Sequence, residues 1–320
     1  MAVGLGRGLV IGMGVESTYG TAVSRTHWFR GVSCSLERKS IKTRLPRLVA
    51  SSSSANRAKH FIEREEVTGD IELEMCFEGM GLIIQHALGG TPATTGPTGS
   101  IYQHTTKLAA NLPTGLTIEV IRGTGGTGAA EVFEGCKIAK AVFRLSAGGV
   151  LMVRLSIIAE TASARTTAGS PTYSTNDLPI VHWQGGTFTW NSYARSLVSL
   201  ELTIDNKLTT RQKIGSLLTK EPLRSDFCDV RMSLTSEWET EDYYVGMTAD
   251  TEADCSILFS GSASRALLIN VHNAYVENVS APISGPGIIM ESSTLVAQTD
   301  GTDEGVSFII DNTQTTATAA

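Results

Sequence analysis

Hydrophobic and polar residues alternate with a period of two along most of this chain. The alternation runs through residues 32–37, 67–77, 116–122, 140–145 and 150–159, and again through 187–190, 197–205, 229–238, 255–259, 266–272 and 287–297. These segments are rich in β-branched residues and predict half-buried strands, hence a mainly β fold. The period lengthens over residues 78–88, where Met80, Leu82, Ile83, Ile84, Ala87 and Leu88 gather on one side and Gly89 and Gly90 supply a left-handed stop. That stretch predicts a short helix. Residues 239–249 predict a second helix, opened by acids that suit the positive end of its dipole.

The same elements recur in order. Residues 150–161 (VLMVRLSIIAET) align without a gap on 288–299 (IIMESSTLVAQT), and Gly149 matches Gly287 just upstream. Residues 70–78 (DIELEMCFE) line up with 231–239 (RMSLTSEWE). Two copies are too few for a solenoid, so the self-similarity predicts a tandem pair of β units, each flanked by a short helix. The expected divisions are a flexible, glycine-rich arm (1–22), a first β domain (23–161), a polar linker containing Gly-Ser-Pro (162–177), a second β domain (178–311) and a fraying tail (312–320).

Charge changes the picture more than bulk composition does. The 320 residues suffice for two cores, and 32 glycines against nine prolines suit tight turns between short strands. A net charge of −6 argues against a general nucleic-acid binder. The charges are segregated. Arg38, Lys39, Lys42, Arg44, Arg47, Arg57 and Lys59 fall in an acid-free tract that also holds SSSSAN, which predicts a long mobile loop. Lys207, Arg211, Lys213, Lys220 and Arg224 occupy a polar connection at the matching place in the second half. Glu237, Glu239, Glu241, Asp242, Asp250, Glu252 and Asp254 follow without any Lys or Arg between them. Basic loops at equivalent places, with an acidic tract following, predict complementary surfaces that meet between subunits.

Chemical motifs are weak. Gly123-Thr-Gly-Gly-Thr-Gly128 matches GxGxxG, but a dinucleotide site needs a helix next and AAEVF reads as strand, so the glycines predict a hairpin turn. The acids at 300–305 lack the ligand order of an EF-hand, and His86, His182 and His272 stand in no metal-binding spacing. No G-x-S-x-G elbow occurs. The five cysteines are odd in number with no C-x-x-C spacing, which reads as reduced thiols in a cytoplasmic protein. No apolar run reaches the length of a membrane span, and the N-terminus lacks the basic region of a secretory signal. The expectation is a non-enzymatic protein with no metal, no cofactor and no membrane partner.

Gly14-Val-Glu-Ser-Thr-Tyr-Gly-Thr21, followed by a β segment, a long basic loop, Thr68-Gly-Asp-Ile-Glu-Leu-Glu74, a helix ending Leu-Gly-Gly, and later Leu202-Thr-Ile-Asp-Asn-Lys207, resembles the major tail tube proteins of long-tailed bacteriophages. A proline missing after the Tyr-Gly-Thr stretch departs from that pattern. The resemblance covers most of the chain and implies tandem β-sandwich or partial-barrel units joined edge to edge into rings. It further implies that rings stack into a tube for DNA passage, with terminator, tape-measure and tail-tip proteins as partners. With two units per chain, a ring of six units needs three chains; a single-unit chain would need six. The alternatives are another virion β-protein (a capsid decoration, head-completion or adhesin subunit) and, ranked last, a carbohydrate-active β-sandwich enzyme.

Overall fold

The computed structural model describes residues 6–44, 60–123, 130–163, 168–173, 180–283, 285–299, 301 and 304–319. The first half contributes β1 (Val10–Val15), β2 (His27–Cys34), β3 (Glu37–Arg44), β4 (His60–Glu74), helix α1 (Gly81–Leu88), β5 (Ala93–Thr98), β6 (Ile101–Lys107), β7 (Leu116–Ile121), β8 (Ala130–Ser146), β9 (Met152–Ala159) and β10 (Thr161–Ala162). The second contributes β11 (Gly186–Trp190), β12 (Tyr193–Arg195), β13 (Leu197–Asp205), β14 (Leu208–Arg211), β15 (Lys220–Arg224), β16 (Asp229–Glu237), helix α2 (Asp242–Thr248), β17 (Glu252–Ser260), β18 (Ala266–Ser280), β19 (Met290–Val296) and β20 (Val306–Asn312). The fold is mainly β with a barrel core and two short helices, as the alternation predicts.

Strand pairing closes twice. In the first half the antiparallel pairs run β1–β2–β4–β9–β8–β7 and back to β1. In the second they run β11–β17–β18–β19–β16–β13, and β12, one residue before β13, returns to β11. Registers agree in detail. Glu74 faces Met152 as Glu237 faces Met290. The pairing slips between Ile138 and Lys140 and again between Val276 and Asn278. It slips between Gly31 and Ser33 and again between Leu197 and Ser199. A bulge re-aims one strand by a single extra residue, so bulges at matching ladder positions bend both circuits alike. The same ladders correct one expectation. Asp70 faces Ser156, and Thr294, which the alignment of 150–161 on 288–299 sets against Ser156, faces Ser233, so the ladder positions of residues 70–78 are those of 233–241 rather than 231–239. A slip of two leaves every side chain on its own face, which alternation cannot detect.

The two circuits are fused through β8, whose last seven residues pair with β13, and through β20, which pairs with β18 on one edge and β6 on the other. Inward residues of these strands (Ile71, Leu73, Val153, Leu155, Leu202, Ile204, Met232, Leu295) form one continuous core with α1. All the aliphatic side chains of α1 are buried, and Gln85 alone among its residues is partly exposed. Helix α2 is amphipathic: Tyr243 stacks on Trp190 with centroids 5.3 Å apart, while Tyr244 and Val245 face outward.

The described parts of two predicted flexible ends are ordered. Within the arm, β1 is a buried strand between β2 and β7, because Gly12 and Gly14 permit close approach: a Cβ would stand 2.6 Å from the Trp28 ring and 2.4 Å from the Ser24 carbonyl. In the tail, Asn312 donates to the Phe77 carbonyl, the Gln314 side chain accepts from Gly79 N–H and donates to Ala319, and Ala317 is buried against α1. The predicted linker lies partly outside the described residues; Gly169 donates to Glu119, and Tyr173 lies under Arg30.

At the fusion, Asn206 is wholly buried; its amide donates to the carbonyls of Ala87 (2.9 Å) and Ile138 (3.0 Å), and its oxygen accepts from Arg224. Replacing Asn206 with Ala leaves these groups unpaired and is expected to cost about 3 kcal/mol, read from urea unfolding midpoints. His86, in α1, is buried with Nε2 unpartnered; burial and then the Lys137 ammonium bring its pKa down to about 4. A lowered histidine pKa favours the fold fully above the unfolded value and loses that contribution as pH falls. Between pH 7 and 4.5 the wild type should therefore lose roughly 2–3 kcal/mol more stability than His86→Met, compared by urea unfolding at the two pH values.

Candidate assembly surfaces

One run of pairings matters most for assembly. Continuous from β2 and β3 through β4, β9, β8, β13, β16 and β19 to the C-terminal part of β18, the chain presents an eight-strand ribbon. β2 and β3 act as one of these strands, because Cys34 faces Ile71 and Glu37 faces Thr68 without a slip. Among the described residues, β3 pairs with β4 alone, and β18 beyond Tyr275 pairs with β19 alone. Both ends of the ribbon thus lack a second partner strand among the described residues, although at Leu36 the edge is buried and its carbonyl accepts from Arg122.

The outward face of the ribbon is polar. Asp70, Ser156, Lys140, Asp205 and Asp229 lie in one lateral row; Glu72, Arg154, Val142, Thr203 and Arg231 lie in the next but one along the strands. Ion pairs join this face: Arg154 to Asp70 at 2.5 Å, Arg144 to Glu201 at 2.9 Å, and Arg231 to Asp229 and Glu277 at 2.9 and 2.6 Å. The Asp70 carboxyl titrates below its ordinary range: burial raises it, but hydrogen bonds and charge from Arg154 and Ser156 prevail. The arginines here are engaged, and Glu72, Glu74 and Glu237 add further negative charge.

The basic segments divide. Arg38, Lys39, Lys42 and Arg44 lie on β3 rather than in a loop, because β4 presents Glu63, Glu65 and Glu66 beside them. Arg38 donates to the Ala162 carbonyl, and Lys39 pairs with Glu37. Arg47, Arg57 and Lys59 lie outside the described residues. In the second half, β14 and β15 form a hairpin where a polar connection was expected. Arg224 is internal, capping the carbonyls of Ala109 and Ala110; Arg211 donates to Glu221 O; Lys207 pairs with Asp205 at 2.9 Å. Lys213 and Lys220 remain exposed and repel each other, which lowers the Lys220 pKa.

The acids form no single cluster. Asp242 is taken up by Arg195 at 2.8 Å, and Asp254 stands 3.7 Å from His272. Glu237, Glu239, Glu241, Asp250 and Glu252 are exposed around α2. The placement is directional. β16 starts beside the β14–β15 hairpin and ends at Glu237, so the cationic hairpin and the acidic helix region lie at opposite ends of the same strand. Strand periodicity gave no sign of the open half of β18. Exposed Ile283 (76%), Phe227 (91%) and Ile214 lie among polar and turn residues whose composition disguised them.

Among the described residues no group of three or more His, Cys, Asp or Glu side chains is placed to hold a metal ion, and no helix is long and apolar enough to cross a membrane. Gly123 ends the described part of the β7 side, and β8 resumes at Ala130 antiparallel to β7.

No curated protein matches this sequence. Fourteen chains of solved structures match. One is the tube-terminating cap of an anti-feeding prophage, at 14% identity over 45% of this chain and 97% of the cap, with a TM-score of 0.31. The family model for the phage tail tube protein matches residues 6–302. With β strands throughout that span and a paired polar ribbon running across it, the chain belongs to the phage tail tube protein family, a family of structural tail components.

Proposed function

We propose that this chain is the ring-forming subunit of a long-tailed, siphophage-type tail tube, with three chains closing each ring and stacked rings conducting DNA during ejection. The observation that carries the reading is the eight-strand ribbon open at both edges. Joined head to tail by a fixed rotation, such ribbons close into a ring, and the joints satisfy the edge amides and carbonyls. The two circuits are read as a tandem duplication, supported by their common strand order and their bulges at matching positions. Two units per chain make three chains the number that gives six units.

The polar face of the ribbon lines the lumen in this reading. Its arginines are held by neighbouring carboxylates, which leaves little free positive charge to grip phosphates, and DNA slides without specific binding. Rings stack with the exposed cations of one against the acids of the next: Lys42, Arg44, Lys213 and Lys220 meet Glu239, Glu241, Asp250 and Glu252. Subunits assemble in the host cytoplasm; a tape-measure protein occupies the lumen, and a terminator and a tail tip cover the two ends.

Concentrated purified protein should form open-ended tubes by negative-stain microscopy, and native mass spectrometry of short assemblies should give multiples of three chains. Rings of six full-length chains would refute the stoichiometry. Changing Lys42, Arg44, Lys213 and Lys220 to Glu should shorten tubes several-fold while moving the subunit melting temperature by no more than about 2 °C. Unchanged tube length would remove these residues from the stacking contact.

A further inference from the structure

We propose that the second circuit holds a binding pocket for one uncharged amphipathic molecule, its apolar body against Phe188, Leu200, Ile257 and Phe259 and its hydrogen-bond acceptor on the Arg195 guanidinium. The proposal goes beyond the ring-subunit reading and does not depend on it.

Matched positions in the two circuits show how the pocket arises. The bulge at Gly31 and Ser33 matches the one at Leu197 and Ser199, which sets Phe29 against Arg195. Phe29 faces Ile11 and Arg195 faces Phe188, so Leu9, two residues before Ile11, matches Gly186. In the first circuit Leu9 plugs the space beside the bulge: a Cβ on Gly31 would stand 2.7 Å from its Cδ2. In the second, Gly186 has no side chain to act as a plug. A cavity of about 460 Å³ opens there, between β11 and the start of β13. Its inner wall is Phe188, Leu200, Ile257 and Phe259, all buried, and exposed Trp183 and Val198 stand at its rim. Volume and apolar lining both suit a small organic ligand.

The polar groups change together with the plug. Three core-facing ladder positions that are apolar in the first circuit, Phe29, Leu73 and Val153, become Arg195, Ser236 and Glu291 in the second. Among the lining residues Arg195 is the only cation, and its side chain is 4% exposed. A guanidinium carries five donors, and burial makes each unmet one costly. Asp242 accepts from Nη2 at 2.8 Å, and the Tyr243 ring centre lies 5.0 Å from the guanidinium carbon. Among the described residues nothing accepts from Nε or Nη1. A ligand carbonyl in the cavity can.

Charge selects against an anion. Asp242 already balances Arg195, and Glu239 adds a carboxylate to the lining. Glu291 stands close enough to feel both Arg195 and Asp242, and burial lifts its carboxyl above the ordinary range. A carboxylate ligand would join this surplus of acids, and an ammonium would meet the guanidinium. An uncharged acceptor incurs neither penalty.

The test titrates the full chain with Nile red, a neutral aromatic dye bearing one carbonyl, and reads its fluorescence. Wild type should bind one dye per chain, and decanamide should displace it. Gly186→Leu restores the plug that Leu9 provides, at a backbone φ of −85° that accepts a side chain. It should weaken dye binding by about tenfold or more. Val198→Trp, at the exposed rim, should do the same and serves if the first variant fails to fold. Arg195→Lys keeps the charge beside Asp242 but loses the planar fork. It should weaken Nile red by about tenfold, the worth of one charge-assisted hydrogen bond, and leave N-phenylnaphthylamine, which has no carbonyl, unchanged. Equal losses for the two dyes overturn the role of Arg195. Decanoate or decylamine displacing the dye as well as decanamide does overturns the ligand class. Undiminished binding in both plugged variants, or no saturable binding by wild type, overturns the pocket.

Discussion

A β strand carries a row of amides and carbonyls along each edge, and burying them unpaired is costly. In this chain the seam between β8 and β13 answers that requirement at the middle of the molecule, and much else is arranged around it. The seam joins the two closed circuits into one core, and it holds Asn206 where its amide ties α1 to the end of the β8 bulge. It also sets the β14–β15 hairpin over the first half, where Lys137 meets Glu221 at 2.6 Å and Glu65 N–H reaches Leu217 O. What the seam does for its own edges it leaves undone at the two ends of the ribbon.

Much of the fold was legible from period alone. Every predicted strand overlaps a strand of the structure, and both predicted helices exist, shortened at their starts to Gly81 and Asp242. The misses share a cause: local composition outweighed long-range packing. β1 was hidden by Gly12 and Gly14, which look like flexibility until Trp28 and Ser24 are seen against them. β3 was hidden by its charges, because a run of cations reads as a solvated loop unless its acidic partner strand is known. The tail was hidden by its small polar residues, whose hydrogen bonds to Phe77 and Gly79 span more than two hundred residues of sequence.

The candidate surfaces were less legible. Segregation of charge marked tracts rather than surfaces: sequence could not separate exposed Lys213 from half-buried Arg224 in the same tract. That distinction depends on where two hairpin strands cross a neighbouring loop, and no local pattern encodes it. The open edge of β18 was invisible for another reason. An edge is defined by what fails to pair with it, and alternation looks the same on an edge strand as on a central one.

The direction of the hydrogen bonds in the ribbon has a mechanical consequence. They run across the strands, from β4 through β13 to β18, so in a closed ring they run around the circumference. A wall built this way resists hoop stress through many short cooperative bonds that salt does not weaken. The proposed contacts along the axis, between exposed lysines and carboxylates, would be soft and screened within about 8 Å at physiological ionic strength. A tube of the proposed kind would hold its bore under internal pressure and still bend, its bending stiffness falling as salt rises while its diameter stays fixed.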